Sequence, residues 1–135
     1  MSILTEVKAF LDAIGPGTLG TITIGKMPAS PDVIGTLYEY GGLGPEGRFG
    51  VTGIGYEHCA IQLVFRGAVE DYASPRTKAE TAYRALAAIQ PGVLAPGATV
   101  YLRIDPVQSP FPLESPDGNL RVKIACNFYA MKELS

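Results

Sequence analysis

The chain has no tryptophan, a single histidine and two cysteines, and only 18% of its 135 residues are charged. Each shortage removes a class of function. His58 is the sole imidazole and stands beside Cys59, but neighbours on an extended strand point to opposite faces, so they do not make a nucleophile-and-base pair. Cys59 and Cys126 are too few and too separated for a disulfide framework or a zinc site, and both are expected to pack as small apolar side chains. Eleven Lys and Arg against thirteen Asp and Glu leave a net charge of -2, without the positive field that gathers phosphate backbones or anionic lipid. No sequence-specific nucleic acid and no membrane is therefore expected as a partner. The opening "MSILTEVKAFLDAIGPG" lacks the basic start, apolar run and small-residue cleavage site of a signal peptide, and no segment approaches a bilayer-spanning run. A soluble protein is expected.

What is there is apolar and periodic. With 47% apolar residues, 135 positions support one hydrophobic core and a single domain over residues 1–135. Leu4, Val7, Phe10, Leu11 and Ile14 form a helical stripe with Ser2 as a cap, stopped by Gly15, Pro16 and Gly17. "TLGTITIGK" predicts a strand ending near Lys26, and residues 33–40 alternate as another. "AIQLVFRGA" is the clearest half-buried strand, with Ile61, Leu63 and Phe65 on one side and Gln62, Val64 and Arg66 on the other. Ser74 and Pro75 predict the start of the main helix, with Ala79, Ala82, Tyr83, Leu86 and Ile89 as its apolar stripe and Pro91 and Gly92 as its end. "ATVYLRI" and "LRVKIACNFYA" give two more strands around the turn-rich "DPVQSPFPLESPDGN". The expected class is α+β: a mostly antiparallel β-sheet with an N-terminal helix and one main helix packed on one face. Residues 41–57 form a long glycine-rich loop, of a length that marks functional or mobile segments.

Inside that loop Gly42, Gly44 and Gly47 spell G-x-G-x-x-G, but no helix-forming sequence follows, as a dinucleotide turn requires. Gly25 and Lys26 resemble a phosphate-loop fragment, yet Met27 stands where Ser or Thr is needed. Glu39, Glu46, Glu57, Glu70, Asp71, Asp105, Glu114 and Asp117 fall in predicted turns or on solvent faces, with no acid and base pair and no calcium-loop spacing among them. Arg76 and Lys78 in the first turns of the main helix oppose its dipole, which fits a solvated face or else compensation by acids or by a partner.

Three stretches, "PDVIGTLYEYGG" from Pro31, "IQLVFRGAVEDYASPRTKAETAYRAL" from Ile61 and "LRIDPVQSPFPLESPDGNLRVKIACNFYAMKE" from Leu102, together resemble the tail-terminator proteins of long-tailed bacteriophages, also labelled minor capsid proteins. Where related sequences often carry a Gly-Arg-Asp turn, this chain has "ESPDGN", keeping Asp117 and Gly118. The resemblance implies an α+β sheet with helices on one face, and no catalytic residues, cofactor or metal. It implies a homohexameric ring that caps the tail tube, ends its polymerisation and joins the head-side connector. DNA would pass through the ring, in the neck of a virion assembled in a bacterial cytoplasm. The glycine loop then becomes an adaptable contact arm, with Gly41 and Gly42 supplying backbone freedom and Arg48 and Phe49 the anchors. Arg66, Arg76 and Phe111 in the resembling stretches complete the candidate interface. Two alternatives stand beside this reading: a head-completion or other neck component, and a small-ligand-binding α+β domain with a cleft between sheet and loop.

Overall fold

The two periodicities of the sequence, 3.6 and 2, become helix and strand in the computed structural model, which describes residues 3–14, 18–40, 46–47, 55–88, 92–94, 99–113 and 121–134. In chain order the elements are α1 (Ile3–Asp12), β1 (Ile22–Ile24), β2 (Ile34–Tyr40), β3 (Glu46–Gly47), β4 (Gly55–Val69), α2 (Ala73–Ala87), β5 (Gly92–Leu94), β6 (Thr99–Pro106), β7 (Phe111–Pro112) and β8 (Arg121–Leu134). The strands form one sheet in the order β1-β2-β4-β8-β6-β5, with β3 added to β4 and β7 to β8. Only β1 and β2 run parallel among the described strands; every other pairing is antiparallel. The α+β class with an N-terminal and a main helix is therefore the observed one.

Alternation along the three central strands builds the core. Register places Leu37, Leu63 and Cys126 in one row across β2, β4 and β8, and Phe65 opposite Ile124. All five are buried, as are Ile61 and Phe128 on the same face. Against this face α1 lays Leu4, Val7 and Leu11, and α2 lays Ala79, Ala82 and Leu86. Two alanines in the α2 stripe let the helix sit close to the sheet, while Tyr83 at its margin tilts over Phe128 with ring centroids 6.2 Å apart. α1 approaches β1, β2 and also β5, so the strands at the two ends of the sheet order both come to one helix. The sheet thus curls around its helical layer, and both edges gain a neighbouring helix.

Several boundaries differ from those the sequence predicts. α2 begins at Ala73 with no side-chain cap on Tyr72, and it is the Asp71 carboxylate, not Ser74, that accepts an N–H of the first turn, from Ser74 at 3.2 Å. Pro75 sits inside that turn, where a missing N–H costs nothing. Glu70 makes the tight turn between β4 and α2 with φ of 57°. Residues 41–57 are not one unbroken loop, because β3 pairs with the start of β4, Glu46 opposite Tyr56 and Gly47 opposite Gly55. Residues 41–45 and 48–54 lie outside the described residues. β5 and β7 are short strands in segments that proline and glycine made look like turns.

Neither thiol is in a disulfide, and both are buried in the apolar cluster. Cys126 donates to the Ala79 carbonyl at 3.7 Å, and burial pushes its pKa up to about 12 from 9.0. The unfolded chain ionises this thiol first as pH rises, so its contribution is complete below pH 9 and is lost on the way to 12. Tyr38, raised chiefly by burial, acts in the same direction. Unfolding free energy is expected to fall by about 1.4 kcal/mol per pH unit above pH 9 from Cys126 alone. Urea titrations from pH 8 to 10.5 test this against Cys126→Ala, whose profile must be flatter; parallel profiles would refute it.

Candidate functional site

On the face turned away from the helices, the strands carry a different set of side chains. Tyr40, Ala60 and Tyr129 occupy one row across β2, β4 and β8, followed by Tyr38, Gln62 and Asn127 in the next. Ala60 is small, and the two tyrosines beside it are 50% and 53% exposed, so they rise as walls on either side of a low floor. Val107, 47% exposed, follows β6 and donates its N–H to the Asn127 carbonyl at 2.9 Å, which sets it at the same rim. A cavity of about 360 Å³ lies among these residues. A second, of about 180 Å³, continues from Tyr38 and Gln62 past Val64 to Met27, Leu113 and Lys123. Tyr40 and Gln62 line both. The result is a trough that runs along β4.

Polar groups punctuate its middle. The Tyr40 hydroxyl donates to Gln62 Oε1, which leaves the NH2 group of that amide as its remaining donor end. Asn127 Oδ1 is buried with no hydrogen-bond partner among the described residues.

Residues 28–32, which follow the lining residue Met27, form a strap held by two buried arginines. Arg66 Nε donates to the Asp32 carbonyl at 2.8 Å, and its Nη2 donates to the carbonyls of Pro28 at 2.7 Å and Pro31 at 2.8 Å. Arg121 Nη1 donates to the Ala29 carbonyl at 2.7 Å and to Asp32 Oδ1 at 3.0 Å. An irregular segment with two prolines has no ladder to occupy its carbonyls, and the two guanidinium forks supply the donors instead.

Arg66, expected on an interface, is 3% exposed, and its Nε and Nη2 are committed to the strap, so in this chain it positions that segment. Arg76 is partly exposed; it pairs with Glu80 at 3.0 Å and donates to the Pro110 carbonyl at 2.7 Å, so an acid and a carbonyl supply its compensation. Phe111 is half-buried in β7 opposite Ala125. Gly41, Gly42, Arg48 and Phe49 lie outside the described residues. The G-x-G-x-x-G ends in Glu46 and Gly47, which form a strand and not the helix start that pyrophosphate binding needs. Cys59 is buried in the core while His58, next along β4, lies on the opposite side of the strand, as alternation requires.

Sequence reasoning missed Tyr40, Gln62, Asn127, Tyr129 and Lys123 as a group. The available signal was composition: the polar face of β2 and β8 carries tyrosines where a purely solvated face carries charge. Among the described residues no three His, Cys, Asp or Glu side chains gather at a point where a metal ion could be held, and no helix among them is long and apolar enough to cross a membrane. No protein-family model matches the chain, and no curated protein sequence matches it.

Proposed function

We propose that this protein is a structural component of a phage tail, copies of which close into a ring that caps the tail tube, ends its growth and joins it to the head-side connector. The observation that carries this reading is spatial. The three stretches that resemble tail terminators fall on β2, on β4 with α2, and on β6 through β8. These strands are hydrogen-bonded neighbours in the order β2-β4-β8-β6, with α2 packed across them. The resemblance therefore runs through one folded unit and is not scattered over unrelated surface loops.

The surface supports the same reading. Tyr40, Tyr129 and Val107 form one exposed apolar patch, and Val69 and Tyr72, 54% and 50% exposed, mark a second at the other end of β4. At about 3.3 Å per residue, the nine positions from Ala60 to Val69 separate them by roughly 30 Å. A closing ring needs two different patches per subunit for its neighbours, and a terminator needs a further surface for tube or connector. Aromatic side chains are the type that anchors such contacts. Native mass spectrometry over a concentration series, with and without tail tubes, tests the proposal. A six-copy ring, free or formed only on tube ends, is the expected result, and a monomer indifferent to tubes would overturn it. Labelling the protein in virions separates a terminator from another neck component.

A further inference from the structure

We infer that the trough over β4 is a docking site for an extended, apolar peptide segment of another protein that carries a carboxylate at the Lys123 end. Its floor is Ala60, Gln62 and Val64, alternate residues of β4 where the register is unshifted. The two cavities that compose it lie side by side along β4 and share Tyr40 and Gln62 as lining residues. From Ala60 to Val64 the trough extends about 13 Å at the usual strand rise, the length of four extended residues.

The chemistry along that length selects the occupant. At one end Tyr40, Tyr129 and Val107 present half-exposed apolar surface around the Ala60 gap, which suits a branched or aromatic side chain. In the middle stand two side-chain amides, Gln62 and Asn127, groups that pair with peptide N–H and C=O and have no use for a hydrocarbon chain. At the other end Lys123 lines the second cavity, and among the described residues no acid is paired with it. Register sets Lys123 opposite Arg66, so a second cation belongs to the neighbouring strand at that end, itself committed to the strap. Among the described residues neither cavity is lined by an acid. A carboxylate on the incoming segment is the complement of this end, and an uncharged apolar side chain that of the other.

The test uses the purified chain and a panel of blocked hexapeptides of alternating Val and Thr, with a single Glu placed at each position in turn and a Gln twin for each. Binding is read by amide chemical shifts and, since the chain has no tryptophan, by tyrosine emission. The expected result is that peptides shift the amides of Ala60, Gln62 and Val64, and that one Glu placement binds about three- to fivefold tighter than its Gln twin, the range of a solvent-accessible ion pair. Lys123→Gln is expected to bring that ratio to one, and Tyr129→Ala, at a half-exposed site, to weaken every peptide about tenfold. Circular dichroism establishes that both variants fold. Absence of shifts along β4 at millimolar peptide, a Glu-to-Gln ratio that survives Lys123→Gln, or uptake of phosphatidylcholine vesicles in place of peptides would each overturn the proposal. Peptide binding is read whether or not rings form, so its failure is distinguishable from failure of the ring.

Discussion

Replacing Arg66 by alanine is expected to lower the unfolding free energy by about 4 kcal/mol, which is within the range for removing one partner of a buried charged network. The guanidinium makes three hydrogen bonds to backbone carbonyls between Pro28 and Asp32, all at 2.8 Å or less. Each such bond to a charged donor is worth about 1.5–3 kcal/mol, but the loss falls short of their sum because a loosened segment exposes its carbonyls to water. Arg66→Met, which restores most of the packed volume without the donors, should recover only about 1 kcal/mol. Arg121 reaches the same segment through Ala29 and Asp32, so the two arginines share one load. Once Arg66→Ala has freed residues 28–32, adding Arg121→Ala should cost less than it does alone, with a coupling of about 1 kcal/mol or more. Urea unfolding of the four species measures the cycle. A loss below about 1 kcal/mol for Arg66→Ala would mean that the strap is held by something other than its arginines. Because Met27 immediately precedes the strap and lines the trough, Arg66→Ala should also disturb that end of the proposed docking site.

Arg66 also marks the boundary of what the sequence makes legible. Wherever burial on one side and exposure on the other produce a period of two or 3.6, the pattern is readable: β2, β4, β6, β8 and both helices were all predicted near their observed positions. The same rule misreads Arg66. Its place in the alternation, with Gln62 and Val64, assigns it to a solvent face, and it becomes buried only because a segment 34 residues earlier, at Asp32, folds over it. Nothing local encodes that closure. The prolines at 28 and 31 announce an irregular segment in need of donors but not which donors reach it. The trough is hidden for a related reason. Tyr40, Gln62, Asn127 and Tyr129 come from three strands whose register is set by pairings between residues 20 to 69 apart in sequence, from Tyr40–Ala60 to Ala60–Tyr129. β3, β5 and β7 add two or three residues each, too few for any period to show.

Gly67→Ala is the second large effect, about 3 kcal/mol of destabilisation, at the upper end of the cost of overpacking. A Cβ at this position would meet the Asp71 carbonyl oxygen at 2.6 Å and the Pro75 ring at 2.9 Å. Neither obstacle yields alone. Asp71 is tied back to the Ala68 carbonyl through its own N–H at 3.1 Å and to Ser74 through its carboxylate, and Pro75 is buried in the first turn of α2. The methyl group must therefore lift the start of the helix from the sheet. Gly35→Ala makes the informative contrast: there the added carbon meets the Phe65 ring at 2.8 Å. That obstacle is one side chain, which can tilt at the expense of its packing, and the expected cost is about half as large. The two variants should also differ in where the disturbance travels. Arg76 leaves the same first turns of α2 to hold the Pro110 carbonyl, and Pro110 lies between Val107 and Leu113 on the wall of the trough. Lifting the helix start in Gly67→Ala should shift the amide resonances of Val107 and Leu113, whereas Gly35→Ala should leave them in place. Equal stability losses with no shift at Val107 would show that α2 absorbs the methyl group without moving and that its N-terminal turn does not control that wall.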